Sequence, residues 1–186
     1  MTGRYLRAGA GASALYALAV AAALAHGGAV GVVKERMDAM SAMAKAVKAT
    51  AEMFKGTAPY DADAVKRTAA IINKHSGDAL TKLFPQGSSH PPSEARKAIW
   101  RDWQTFADLA RRLEVQSAGL AAAAENEPDR AAGASSGGST GAVMMASSSS
   151  MTVSENELAA MPAKRVFGLV VKTCSDCHSD FRRERK

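Results

Sequence analysis

The sequence predicts an all-α protein, an antiparallel four-helix bundle, and three observations favour that fold class. Apolar residues recur at steps of three and four in four separate stretches, which is the spacing of a helix with one buried face. No stretch alternates apolar and polar residues with period two. Aromatic residues make up only 5% of the 186 residues, a length sufficient for one domain with a hydrophobic core.

The first 25 residues have the layout of a secretory signal. Arg4 and Arg7 form a charged start, residues 8–22 are apolar or small, and residues 23–25 supply small side chains for cleavage before His26. An uncleaved membrane anchor is the alternative, although an Ala/Gly-rich run is only weakly hydrophobic for a span. We therefore expect an exported, periplasmic protein.

The mature domain is predicted to be residues 26–186. Removing Arg4 and Arg7 with the signal lowers the formal net charge from +6 to +4. A mildly basic surface favours an acidic protein partner at low salt. The cations are scattered apart from the last few residues, so no nucleic-acid interface is predicted.

The first two helices follow from their seams and their ends. Helix one is predicted from Gly31 to Lys55, because Gly56 is a natural stop. Its predicted seam is Val33, Met37, Met40, Ala44, Val47, Ala51 and Phe54. Helix two begins after a cap at Asp61 and is expected to kink or break near Gly77. Its predicted seam is Val65, Ala69, Ile72, Ala79 and Leu83.

The third helix is predicted to start at a Ser93 cap and to continue to about Glu125. Its predicted seam is Ile99, Trp103, Phe106, Ala110, Leu113 and Leu120. Residues 126–154 are rich in serine and glycine and are predicted to form a flexible insert. The last helix opens near residue 155 and is expected to be regular from Met161 onward. Its predicted seam is Leu158, Met161, Phe167, Val170, Cys174, Cys177 and Phe181.

The stretch 174–178 reads Cys-Ser-Asp-Cys-His and uses both cysteines of the chain. C-x-x-C-H is the attachment pattern of c-type haem, in which two thiols form thioethers and the histidine offers a nitrogen to the iron. On a helix, Cys174, Cys177 and His178 share one face because they are three and four residues apart. The pattern predicts one covalent haem c, with His178 as the proximal iron ligand.

Other interpretations of this stretch have less support. A thioredoxin-like pair needs a βαβ context, which the periodicity does not provide. A structural zinc site usually has four ligands, and no second C-x-x-C or H-x-x-x-H completes one. A Cys174–Cys177 disulfide is compatible with an oxidising compartment but leaves His178 without a role.

With the motif near the carboxyl end, the chain resembles the class II cytochromes c, the cytochrome c′ family. Residues 36–40 are similar to the family's R-x-x-x-[M/L] pattern, residues 56–62 to its first connection, and residues 99–100 to the start of its third helix. Phe167-Gly168 and Phe181-Arg182 also resemble family positions. The long Ser/Gly insert and the acidic Ser175-Asp176 pair depart from the pattern.

The resemblance implies roles for three further residues. Arg36 is expected to approach a haem propionate, and a cation on a buried seam also needs an anion on physical grounds. Met40 is expected over the sixth coordination site, where a thioether is a soft ligand suited to electron-transfer haems. Arg182 is expected near the proximal side of the haem.

These residues leave more than one function open. If Met40 binds the iron, the protein relays electrons to redox partner proteins; if Met40 only packs above it, an open site binds nitric oxide or carbon monoxide. No nucleophile with its base and no paired carboxylates are apparent, so an enzyme is not expected. A haem-free helical interaction protein with a Cys174–Cys177 disulfide is the further alternative. The resemblance leaves a homodimer open.

Overall fold

The computed structural model describes residues 28–126 and 153–184, and within them the chain is almost entirely helical. Four helices are long, and three are single turns or little more. In chain order they are α1 (Gly31–Lys55), α2 (Ala62–Lys74), α3 (Gly77–Thr81), α4 (Ala98–Arg101), α5 (Trp103–Ala123), α6 (Glu155–Ala159) and α7 (Ala163–Phe181). The all-α prediction is confirmed. No helix in the part of the chain that the structure describes is long and apolar enough to cross a membrane.

The long helices run up, down, up and down. Phe54, near the end of α1, packs against the tilted ring of Tyr60, two residues before α2 (5.7 Å between ring centres). The Tyr60 hydroxyl donates to the carbonyl of Ala124 at the end of α5 (2.6 Å). Phe54 also contacts Phe167 in the first turns of α7 (5.1 Å between ring centres). One end of the bundle therefore collects the ends of α1 and α5 and the starts of α2 and α7, which makes neighbouring helices antiparallel, as predicted.

The core is divided between the two ends of the bundle. The closed half holds mostly small and branched side chains: Met43, Phe54, Val65, Ala69, Ile72, Leu113, Leu120, Ala123, Ala124, Leu158, Ala163, Val166, Phe167 and Val170. The cavity half holds larger rings and leucines: Leu80, Phe84, Ile99, Phe106, Leu109, Ala110 and Phe181. Both halves include residues of α5 and α7, so these two helices connect them.

The bounds of α1 are those predicted, but its buried face is not. Gly56 ends the helix in the left-handed conformation (φ 78°), which glycine adopts without steric cost. The buried residues are Val33, Arg36, Ala39, Met43, Ala46, Thr50 and Phe54. The predicted seam is wrong from Met37 to Ala51, because the true face carries polar Arg36 and Thr50. Thr50 is satisfied by a buried hydrogen bond to the Thr68 hydroxyl of α2 (2.8 Å).

The second helix begins and breaks where the sequence predicts. The Asp61 carboxylate accepts from the Ala64 amide (3.1 Å) and caps α2. Helical structure stops at Lys74 and resumes at Gly77 (φ 54°) as α3. The interruption rotates the buried face, so Leu80 is in the core and Ala79 is exposed, contrary to the predicted seam.

The third predicted helix starts later than expected. Ser93 does not cap a helix; its hydroxyl accepts from the Ala95 amide inside a connecting segment (3.1 Å). Regular structure begins with α4, and Asp102 caps α5 by accepting from the Thr105 amide (3.3 Å). This break at Asp102 leaves Trp103 42% exposed, so its predicted place on the seam is wrong.

The last helix is preceded by a separate turn. Ser154 and Glu157 form a reciprocal capping box on α6, and Pro162 immediately precedes α7. The Asn126 side chain donates to the carbonyls of Ala159 (2.8 Å) and Met161 (2.7 Å), which ties the end of α5 to this turn. The predicted signal at 1–25 and nearly all of the insert at 126–154 lie outside the described residues.

Candidate functional site

The cavity half contains an open cavity of about 120 Å³ between α1, α5 and α7. Most of the residues that line it are apolar, and the others include charged side chains. It is lined by Arg36, Met37, Met40, Phe84, Pro92, Ser93, Glu94, Ala95, Ile99, Phe106, Cys177, His178, Phe181 and Arg182. Five of the six residues singled out from the sequence therefore line one cavity.

The C-x-x-C-H stretch lies on the last two turns of α7. Cys177 and His178 line the cavity, and His178 also reaches solvent. Cys174, one turn earlier, is partly buried against the closed half and is the sixth predicted site residue. The helical spacing therefore places the two thiols and the imidazole on one face of α7, as the sequence predicts, with Cys177 and His178 at the cavity edge.

Both cysteines are free thiols, and burial disfavours their ionisation. Burial raises the pKa of Cys174, and burial followed by the neighbouring Cys174 and Asp180 raises the pKa of Cys177 to about 12. Reactive redox cysteines have lowered pKa values, so this arrangement does not fit thiol–disulfide exchange. Burial, and then the charge of Arg182, lowers the pKa of His178, which favours the neutral imidazole that binds metals.

Met40 lines the cavity from α1, whereas His178 lines it from α7. Met40 packs partly buried against both halves of the core. Met37 also lines the cavity, one turn earlier on the same helix, whereas Met43 is buried in the closed half. The cavity thus has an imidazole on one wall and the thioethers of two methionines on another.

Arg36 is only 4% exposed and lines the cavity. Its guanidinium donates to the Leu83 carbonyl (3.3 Å), to the hydroxyls of Ser88 (3.1 Å) and Ser93 (2.8 Å), and to the Ser88 carbonyl. It also lies over the Phe84 ring, 4.7 Å from its centre. These partners are all neutral groups, so the expected propionate contact stays a prediction.

Arg182 lies at the rim, beside the histidine. Its guanidinium pairs with the Glu94 carboxylate at 2.7 and 2.8 Å. The backbone here forms a short antiparallel contact, in which Ala95 and Arg182 bridge and the Arg183 amide donates to the Glu94 carbonyl (2.8 Å). The tail after α7 is therefore fixed along the segment before α4.

The sequence did not predict that three further polar residues would contribute to the site. Ser88 and Ser93 hold Arg36, and Glu94 holds Arg182. The sequence predicts a helix cap at Ser93, and Ser88 and Glu94 belong to a segment without periodicity. No spacing rule identifies such residues, because their roles arise from contacts with helices distant in the chain.

The fold and this cavity define a class of protein: a helical bundle built to hold a c-type haem at one end. The comparisons with known proteins agree, since the family model described as Cytochrome C' matches residues 31–143. The chain belongs to the cytochrome c′ family, whose members bind a covalent c-type haem with iron.

Similar proteins span most of the chain. The chain is 32% identical to cytochrome c' of Cereibacter sphaeroides over 179 residues, covering 93% of each. Among solved structures, "Cytochrome c' from Rhodobacter Spheriodes" is 27% identical with a TM-score of 0.56, covering 83% of this chain and 96% of that one. A nitric oxide complex of a cytochrome c prime variant from Alcaligenes xylosoxidans is 25% identical with a TM-score of 0.55, covering 83% and 94%.

The residues present fit this cofactor. A porphyrin is large, flat and mostly apolar, and Phe84, Ile99 and Phe106 supply an apolar wall. Cys177 and Cys174 offer thiols on one helical face, and His178 offers a nitrogen beside them. Arg36 and Arg182 add two guanidinium groups to the cavity wall, the second of them paired with Glu94.

Proposed function

We propose that this chain is a periplasmic c-type haem protein that transfers electrons. Cys174 and Cys177 form the thioethers, His178 is the proximal ligand, and Met40 is the sixth ligand. The family and its cofactor support the first part of the proposal. The position of Met40 on a different cavity wall from His178 is the single observation that supports the second.

The bound iron supplies reversible Fe(III)/Fe(II) exchange, and the chain's own residues set its conditions. The rings of Phe84, Phe106 and Phe181 exclude water from the apolar wall. A thioether ligand and a low-dielectric surrounding both favour the reduced state, because they stabilise the less charged iron. We do not propose an enzymatic reaction, since neither an activated nucleophile nor a carboxylate pair is part of the cavity wall.

Gas binding is the second candidate function. The nitric oxide complex among the similar structures favours it, although that complex belongs to a variant of another protein. In this alternative Met40 packs against the cavity without binding iron, and the open position takes nitric oxide or carbon monoxide. Both candidates use the same cavity and the same proximal histidine.

The absorption spectrum of the reduced holoprotein tests the proposal. Sharp α and β bands are expected for two axial ligands, whereas one broad band with rapid carbon monoxide uptake indicates an open site. Met40→Ala should convert the first spectrum to the second. Met43→Ala, on the same helix but in the closed half, is the matched control and should leave the bands sharp.

A third variant resolves the ambiguity between the two cavity methionines. If Met37→Ala rather than Met40→Ala removes the sharp bands, Met37 is the ligand and our assignment is wrong. A low-spin spectrum unchanged in both variants would exclude ligation by either cavity methionine.

A further inference from the structure

A second hollow, which we name the outer pocket, adjoins the cavity at Phe84. It is open to solvent and has a volume of about 390 Å³. Its apolar wall consists of Phe84, Pro85, Trp100 and Trp103. Protein pockets that hold drug-sized molecules have volumes of about 300–1,000 Å³ and mainly apolar and aromatic walls. The outer pocket therefore has the size and the lining of a small-molecule site, rather than the extended surface that a protein partner needs.

The two indoles of this wall are held by contacts on their protein side. Trp100 is partly buried, and its Nε1 donates to the Phe84 carbonyl (2.9 Å). Trp103 packs against Phe106, with ring centres 5.6 Å apart, and keeps 42% of its surface exposed. A rigid indole with exposed surface offers a stacking platform to a planar aromatic group. Both tryptophans of the chain lie in this wall.

The polar part of the wall has one sign of charge. Lys82 directly follows α3 and is exposed, and it is the single charged residue that lines the pocket in the described part of the chain. Within the same residues Lys82 forms no ion pair. Thr81 and Gln86, the other polar residues of the wall, are neutral. An ammonium group beside two indoles therefore complements an aromatic molecule that carries an anion.

The outer pocket is separate from the site proposed for the haem. Of the described residues in its wall, only Phe84 also lines the cavity. Phe84 is 7% exposed and contacts the Phe106 ring (4.9 Å between ring centres). A molecule in the outer pocket would thus lie against a ring that forms part of the cavity wall, without contact with Met40 or His178.

From these observations we propose that the outer pocket is a second binding site and that it takes a planar aromatic molecule with one negative charge. The aromatic face stacks on Trp103, and the anion pairs with Lys82. Trp100 keeps the pocket open on its other side through its hydrogen bond to the backbone. The proposal holds for electron transfer and for gas binding alike, because neither candidate function uses these three residues.

The test is isothermal titration calorimetry of the oxidised holoprotein with anthraquinone-2-sulfonate, a planar aromatic anion. One molecule should bind per chain. Trp103→Ala removes the stacking platform, and Lys82→Glu reverses the charge, so each should weaken binding at least about fivefold. Lys48→Glu makes the same change in net charge at an exposed lysine of α1 outside the pocket. In about 0.1 M salt it should change the affinity less than about twofold.

Two further measurements separate the parts of the proposal. Cyclohexanesulfonate has the charge of the probe without an aromatic face and should bind at least about fivefold more weakly. Ultraviolet resonance Raman bands of tryptophan should change when anthraquinone-2-sulfonate saturates the parent protein, because both tryptophans of the chain line the pocket. This second readout requires no substitution.

Three results overturn the proposal. Unchanged affinity in both Trp103→Ala and Lys82→Glu would place the probe elsewhere on the protein. Equal affinity for cyclohexanesulfonate would leave charge alone as the cause of binding. If the parent binds no probe and light scattering shows a dimer that Trp103→Ala dissociates, the pocket is a contact between two copies of the chain. Should Trp103→Ala fail to fold, Lys82→Glu at an exposed position decides between the same outcomes.

Discussion

The two halves of the bundle differ in the side chains that form their cores. Around α2 and α5 the closed half packs alanine, valine and leucine, and Val65, Leu120 and Ala123 have no exposed surface. The cavity half places three phenylalanine rings, Phe84, Phe106 and Phe181, beside short helices and the irregular segment 82–97. Small side chains let long helices approach closely and fill space, whereas large rings on irregular segments can surround a void. The comparison leads us to expect that the closed half folds without the cofactor, whereas the cavity half depends on it.

The largest expected effect separates cofactor attachment from folding. Replacing both Cys174 and Cys177 by serine removes the thioether bonds, so no haem should remain on the chain after denaturing electrophoresis and peroxidase staining. Amide exchange should show that the closed half keeps its protection while the cavity half loses it, because only the latter surrounds the cofactor. Equal loss in both halves would contradict the division of roles.

Two phenylalanines give the sharpest comparison between the halves. Phe54→Ala in the closed half and Phe106→Ala in the cavity half should each lower the free energy of unfolding by about 3–5 kcal/mol. Only Phe106→Ala should change the haem absorption spectrum and the carbon monoxide rate, since only Phe106 lines the cavity. Spectral changes of similar size in both variants would mean that the two halves are not independent.

The buried hydrogen bond between Thr50 and Thr68 allows the contribution of one polar contact to the free energy of unfolding to be measured. Thr50→Val leaves the Thr68 hydroxyl buried without its partner and should cost about 1–3 kcal/mol in urea denaturation. Adding Thr68→Val should recover most of that loss, because both polar groups are then removed. A double variant as unstable as the single one would show that the cost arises from packing instead.

The smallest effect is expected at Trp103, and its comparison with Trp100 tests where the structure departs from the sequence prediction. Trp100 is partly buried and its indole donates to the Phe84 carbonyl (2.9 Å), so Trp100→Phe should cost about 1–3 kcal/mol. Trp103 is 42% exposed, and Trp103→Phe should change the free energy of unfolding by about 0.5 kcal/mol or less. If Trp103→Phe were more destabilising than Trp100→Phe in thermal denaturation, the result would support the predicted seam with Trp103 buried.

Local sequence signals predicted the parts of the fold that depend on local chemistry. The stop at Gly56, the cap at Asp61 and the break near Gly77 were all readable, because each depends on the conformational preference of one residue. The attachment stretch was readable because its spacing matches one helical face. These signals sufficed to identify the bundle and the edge of its cavity.

Contacts between residues that are far apart in the chain could not be predicted from the sequence. The buried face of α1 includes Arg36 and Thr50, whose burial is allowed only by partners 18 to 57 residues away. The spacing of apolar residues therefore predicted a buried face of α1 that is rotated about the helix axis from the observed one. The start of the third helix was misplaced for a similar reason, since Ser93 is committed to Arg36 and to the segment itself rather than to a helix.

The junction at Asn126 and Ser154 has a consequence for protein engineering. The Asn126 side chain is hydrogen-bonded to the turn after α6, and the capping box determines where α6 begins. The residues on either side of the sequence between Asn126 and Ser154 are therefore held in place by the fold. The register of α7 then does not depend on how many residues lie between them. This position should accept grafted peptides, affinity tags or deletions while the colour of the holoprotein is retained, which makes it the natural place to attach cargo.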